Sequence, residues 1–258
     1  MFINRVTDLL QLVFAPNSAD HKARPVQSDI RREPARRRFV QLAAGGAIVG
    51  WIGTTASQLS FPEPVLAQST LTPDAALAEL MAGNERFVSR RITSDAQDLA
   101  ILKQNNAEKQ EPFAAVLSCA DSRVPVELVF DQTIGHIFVT RVAGNMASSE
   151  IIASLEYGAA VLGTKVILVM GHANCGAVKA TIQGKDAPGQ ISALYPHIQP
   201  AVDQAGNNPE AATKANAKIQ AALLAESSTV IKGLVKEGKL KVAAAHYDIT
   251  SGSVMLLN

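Results

Sequence analysis

Two short apolar runs, residues 113–118 and 166–170, each stop at a compact cluster of metal-binding residue types. Runs of that length without polar alternation suit strands covered on both faces, and such strands belong to parallel sheets with helices on either side. The first run leads into Cys119-Ala120-Asp121-Ser122-Arg123, the second into Gly171-His172-Ala173-Asn174-Cys175-Gly176. These clusters contain the only two cysteines of the 258-residue chain. Both therefore fall at the C-terminal ends of strands, where ligands gather in open α/β sheets.

Cys119, His172 and Cys175 offer two thiolates and one imidazole. That set holds zinc with a fourth position left for water or a carboxylate, whereas a structural zinc is usually closed by four protein ligands. Cys119, Asp121 and Arg123 alternate, so an extended backbone sends all three to one side. Asp121 can complete the metal's coordination or pair with Arg123, and one carboxylate oxygen cannot do both. Gly171 and Gly176 flank a strand-to-helix turn whose helix N-terminus favours the negative charge of a metal–thiolate site. Two bland readings stand beside this one: a closed structural zinc with Asp121 as fourth ligand, and a single disulfide if the protein reaches an oxidising compartment.

The formal charge of +1 is unevenly spread. Residues 1–67 carry 8 Lys+Arg against 5 Asp+Glu, and the remainder 16 against 18. The body is mildly acidic, without the basic patch that nucleic acid requires. The basic excess sits before an uncharged, Gly- and Ala-rich apolar stretch at 39–59. Arg36-Arg37-Arg38-Phe39-Val40 resembles a twin-arginine export signal, and Val65-Leu66-Ala67 offers a signal-peptidase cut after Ala67. Residues 1–67 are thus expected to be a targeting region and 68–258 the mature protein, periplasmic or otherwise exported. A retained membrane anchor at 39–59 is the alternative, and membrane contact is expected only through that segment if it stays uncleaved.

In the mature part, Thr72-Pro73-Asp74 reads as the cap and first turn of a helix, with Leu77, Leu80 and Met81 at helical spacing. Gly83-Asn84 either lies within that helix or separates it from a second one at 85–88. Strands are expected at 113–118, 136–142 and 165–171. Helices are expected at 126–130, 149–162 and from 177 to 183. A short helix falls near 191–195 inside a Gly- and Pro-punctuated region, and one long Ala-rich helix spans 211–237. Residues 241–248 and 253–257 bracket Thr250-Ser251-Gly252 as a terminal strand and hairpin. The alternation defines an α/β fold with a central, mostly parallel sheet flanked by helices.

Cys-x-Asp-x-Arg-Val at 119–124, Arg-x-Ala-Gly-Asn at 141–145 and Gly-His-x-x-Cys-Gly at 171–176 together resemble the β-class carbonic anhydrases. Leu80-Met81-Ala82-Gly83-Asn84-Glu85-Arg86-Phe87 is similar to that family's N-terminal helix, and Ala245-His246-Tyr247-Asp248-Ile249 with Gly252 to its closing strand. The resemblance implies Zn2+ on Cys119, His172 and Cys175, with Asp121 and Arg123 as the dyad beside it. It implies substrate contacts from Gln110, Phe138, Ala143 and Tyr157, the aromatics reaching in from a partner subunit. Val116, where another branch of the family has a tryptophan, points to the plant-like, constitutively open type. The implied activity is reversible hydration of CO2 to bicarbonate and a proton, in a homodimer or a dimer of dimers. Hydrolysis of COS or CS2 on the same fold, and a non-catalytic zinc- or redox-responsive binding protein, are the alternatives.

Overall fold

The structure is a computed structural model and describes residues 69–94 and 110–258. The expected export signal, its cleavage site and most of the polar segment before Gln110 lie outside the described residues. The described chain opens with α1 (Pro73–Val88). Thr72 caps it, its hydroxyl accepting from the Ala75 N–H at 3.2 Å, and Pro73 occupies the first turn. Then come β1 (Ala114–Ser118), the short α2 (Val126–Val129), β2 (Ile137–Arg141), α3 (Ser149–Ala160) and β3 (Val166–His172). After these follow α4 (Gly176–Gln183), a 3-10 turn at Ile191–Leu194, α5 (Tyr195–Ala205), α6 (Pro209–Ser227) and α7 (Thr229–Lys236), and finally β4 (Lys241–Tyr247) and β5 (Val254–Leu257).

The five strands run in the order β2-β1-β3-β4-β5, all neighbours parallel except the β4–β5 hairpin. Every residue of β1 and β3 is buried, as expected for strands covered on both faces. Strand alternation divides the core into two layers. Ala114, Val116, Val166, Leu168, Met170, Ala245 and Tyr247 pack with Ala76, Leu77 and Leu80 of α1. Ala115, Leu117, Ile167, Val169 and Ala244 pack with α3, α6 and α7 through Leu155, Ala159, Ala217, Ala221, Leu224 and Ile231.

Gly83 and Asn84 do not interrupt α1. A Cβ on Gly83 would lie 1.8 Å from the carbonyl oxygen of Phe130, so the glycine is what lets the helix touch the end of α2. Asn84 is buried beside it. Its Nδ2 donates to the carbonyls of Val129 (3.1 Å) and Gly252 (2.9 Å), and its Oδ1 accepts from the Val254 N–H (2.8 Å). The two residues that read as a possible break are the ones that clamp the helix to the fold.

Two sequence expectations are corrected. The single helix expected at 211–237 is two helices, α6 and α7, divided at Ser228. That residue has extended backbone; its hydroxyl accepts from the Ile231 N–H (3.0 Å) and donates to Glu156 (2.6 Å). A serine that caps the next helix competes successfully with continuing the last one. The punctuated region also contains α5, three turns long. Pro196 sits in its first turn, where no N–H is needed, and Pro200 lies inside. Ile198, Ala201 and Val202, at the i, i+3, i+4 spacing of a buried stripe, are the signal that the prolines masked.

Candidate metal centre

The C-terminal ends of β1 and β3, adjacent and parallel, bring the two clusters together. Cys119 and Cys175, 56 residues apart in sequence, place their sulfurs 4.0 Å from each other. Both sulfurs and a ring nitrogen of His172 lie within 4.8 Å of one another, all three residues buried. Among the described residues this is the one group of three or more His, Cys, Asp or Glu side chains close enough to hold a metal ion. Val178, Ile198, Val202 and Ala212 form the apolar wall around the two cysteines, so α4, α5 and α6 all contribute to enclosing the centre.

The donor atoms fit a metal. His172 is fully buried, and its Nδ1 lies 2.9 Å from the Ala173 carbonyl, which makes Nδ1 the donor and leaves the lone pair on Nε2. Nε2 is buried with no hydrogen-bond partner among the described residues. A buried, orphaned imidazole nitrogen is costly unless something binds it. The 4.0 Å sulfur separation is close to the ~3.8 Å that two ~2.3 Å zinc–sulfur bonds set at a tetrahedral angle. Left to themselves the two sulfurs share one proton. The thiol donated by Cys175 draws the Cys119 pKa down against the opposing effect of burial. The same hydrogen bond, followed by burial, drives that of Cys175 up. A metal cation would take the place of that proton, with both sulfurs as its ligands.

Asp121 and Arg123 stand beside this set. Arg123 grips both carboxylate oxygens, Nε to Oδ1 at 2.9 Å and Nη2 to Oδ2 at 2.7 Å, and its backbone N–H reaches Oδ1 at 3.0 Å. The Arg123 guanidinium holds the Asp121 carboxyl well below the usual carboxylate range, with burial opposing and the Arg123 backbone N–H helping. Arg123 Nη2 also contacts the Asn174 carbonyl, 3.3 Å away, tying the dyad to the second cluster. The cluster backbone is held from β2: Arg141 donates to the carbonyls of Cys119 (2.9 Å) and Asp121 (2.6 Å).

The other sequence-derived candidates are placed differently. Ala143 is half-buried in the turn that follows β2, next to Gly144, whose N–H donates to Cys119 Sγ at 3.3 Å. Phe138 and Tyr157 pack on each other with ring centroids 6.3 Å apart. They sit where α3 covers β2, an outer strand of the sheet, and Tyr157 is 47 % exposed. Gln110 is exposed ahead of β1. Within one chain, then, the metal donors and the dyad converge, while among the described residues Gln110 and the aromatic pair do not join them by any hydrogen bond or ring contact. Arg141 and Gly144 belonged to a recognised motif without an assigned role; their contacts to Cys119 supply one.

A family model described as carbonic anhydrase matches residues 114–254, which include every residue of the centre. Carbonic anhydrase 2 of Mycobacterium tuberculosis is 33% identical over 193 residues, covering 71% of this chain and 92% of that protein. Among solved structures, the β-carbonic anhydrase of Coccomyxa, in complex with acetazolamide, superposes with a TM-score of 0.55 at 26% identity. That match covers 70% of this chain and 86% of the other. A β-carbonic anhydrase of Sordaria macrospora, described as tetrameric, gives 0.56 at 22% identity over 64% of this chain and 92% of its own. The chain belongs to the β-class carbonic anhydrase family, enzymes of the lyase class.

Proposed function

We propose that the protein catalyses the reversible hydration of CO2 to bicarbonate and a proton, with one zinc ion held by Cys119, His172 and Cys175. The observation that carries this is an open donor set with a managed carboxylate beside it: three buried protein donors, and Asp121 engaged by Arg123 with Oδ2 3.8 Å from His172 Nε2. Soft thiolates with an imidazole favour zinc over harder cations. When bound in such a set, zinc supplies Lewis acidity and brings the ionisation of its water towards neutral pH.

The chain's own residues do the rest. Arg123 keeps Asp121 ionised and engages both its carboxylate oxygens, which supports the constitutively open type. An ionised Asp121 would serve as a hydrogen-bond acceptor beside the donor set, able to orient a water there for reaction. Gln110, through its side-chain amide, and Phe138, Ala143 and Tyr157, through apolar surface, form the substrate side. Phe138 and Tyr157 lie on an outer strand and its covering helix, and a partner subunit is what brings such a pair to a metal centre. We therefore read the working unit as a homodimer or a dimer of such dimers. The twin-arginine-like segment assigns residues 1–67 to export, 68–258 to the zinc domain and the protein to the periplasm or an equivalent exported location. If the segment is retained, it is the only membrane contact.

Stopped-flow CO2 hydration on the purified protein, with zinc measured on the same sample, tests this. Fast turnover with about one zinc per chain is expected, and Cys119→Ser should lose both together. Stoichiometric zinc with no CO2 turnover, but turnover of COS or CS2, would move the assignment to the sulfur substrates. Zinc with no turnover of any of these gases would leave a metal-binding protein. N-terminal mass spectrometry of the exported protein should find a start at Gln68.

A further inference from the structure

The loop that touches the first metal thiolate is held by two buried amides that none of the sequence motifs contains. Gly144 and Asn145 adopt successive left-handed conformations, φ 78° and 42°, which turns the chain sharply after β2. The Asn145 N–H closes that turn on the Val142 carbonyl at 2.9 Å, leaving the Gly144 N–H to point at Cys119 Sγ, 3.3 Å away. The turn is locked from α6, more than seventy residues later. Asn216 Nδ2 donates to the Gly144 carbonyl at 2.8 Å, and Gln220 Oε1 accepts from the Ala147 N–H at 2.9 Å. Gln220 Nε2 in turn donates to Asn216 Oδ1 at 3.2 Å and to the His197 carbonyl at 3.0 Å, so the two amides also orient each other. Both side chains are almost completely buried.

We propose that Asn216 and Gln220 are positioning residues for the metal centre: they hold the Gly144 N–H on Cys119 Sγ and thereby set how strongly that thiolate donates to the metal. The inference rests on the reading of Cys119 as a ligand. The physical argument is short. A hydrogen bond to a metal-bound thiolate withdraws charge from sulfur, and outer partners of this kind tune a site's affinity and electronics. The bond exists only while Gly144 stays in its left-handed turn. Without the Asn216 contact the Gly144 carbonyl would be left buried without its donor, a cost that works against the turn the Asn145 N–H closes.

The test uses the full chain loaded with cobalt(II) or zinc. Asn216→Leu and Gln220→Met keep side-chain size and remove the amides. Each should lower zinc affinity about 10–100-fold, because a sulfur without that hydrogen bond is less well placed and holds its competing proton more tightly, read by competition with a chromophoric chelator. Each should also move the thiolate-to-cobalt charge-transfer band to lower energy, because a sulfur relieved of its hydrogen bond gives up electron density more readily. Ile231→Ala, which opens the core from α7, is the control for a merely structural effect. It should lower thermal stability and leave the band where it is. If the variants are folded, with wild-type affinity and an unmoved band, the positioning role is wrong while the ligand reading stands. A wild-type cobalt protein without any thiolate band would instead sink the ligand reading. If one variant fails to fold, the other carries the same two readouts.

Discussion

The carboxylate Oδ2 of Asp121 stands 3.8 Å from the buried Nε2 of His172, while the same oxygen accepts a 2.7 Å hydrogen bond from Arg123. One oxygen therefore lies within reach of a metal ligand and is committed to a guanidinium. The side chain that could close the metal's fourth position is the one the arginine restrains.

Removing that restraint should separate metal binding from turnover. Arg123→Ala leaves all three donors in place and frees Asp121 to approach the metal. Zinc should remain near one per chain, while CO2 hydration falls by about 100-fold or more, the scale of losing a group that orients a reacting water. Zinc analysis beside stopped-flow kinetics checks this. Wild-type turnover in the variant would remove the dyad from the mechanism.

The acid limb of stability should report on a second carboxylate, remote from the metal. Asp131 is buried. Burial alone would raise its pKa, yet Arg86 at 2.5 Å and the N–H groups of Ser94 and Thr93 outweigh it and bring the carboxyl to about 2. A depressed pKa means the stabilisation is present above the unfolded value of ~3.9 and is lost as pH falls from there through about 2. The shift is worth about 2–3 kcal/mol. Asp131→Asn should be less stable than wild type at neutral pH, and the gap should shrink between pH 4 and 2. Denaturant melts across that range measure it, and a pH-independent gap would contradict the assignment.

Gly83→Ala should reverse the usual sign of its substitution. Alanine in a helix interior normally stabilises by about 1 kcal/mol relative to glycine. Here the added methyl would meet the backbone carbonyl of Phe130 at 1.8 Å, and backbone cannot swing aside as a side chain can. The variant should lose about 1–3 kcal/mol by overpacking, read from its thermal midpoint.

Metal removal should expose the sulfurs to each other. At 4.0 Å they need to close to ~2 Å to bond. Chelator-treated protein given a mild oxidant should form a Cys119–Cys175 disulfide, seen as a 2 Da loss and a cross-linked peptide, whereas zinc-loaded protein should resist. Free thiols in the oxidised, metal-free sample would show that the loops hold the sulfurs apart.

Much of this molecule is legible in its sequence. The strand runs ending at Cys119 and at His172, the capped start of α1 and the closing hairpin are local patterns of side-chain period and turn chemistry. They depend on neighbours a few residues away, so a linear reading finds them. The donor set is legible for the same reason, since chemistry-bearing residues stand at the ends of those runs. Where local cues conflict, a linear reading fails. Pro200 hides α5, and the long Ala-rich stretch outweighs the Ser227-Ser228-Thr229 cap signal at the division, which a hydrogen bond from Ser228 to Glu156, 72 residues earlier, reinforces.

The sequence alone determined which groups could bind a metal and that they would lie at strand ends, because both follow from residue type and spacing. Only the tertiary structure decided that Cys119 and Cys175 meet across adjacent parallel strands and that Gly83 is a contact surface rather than a break. It also decided that amides on α6 reach back to hold the turn touching a metal thiolate. Those outcomes depend on strand register and helix packing, which join residues as far as 73 positions apart and leave no periodic trace in the chain.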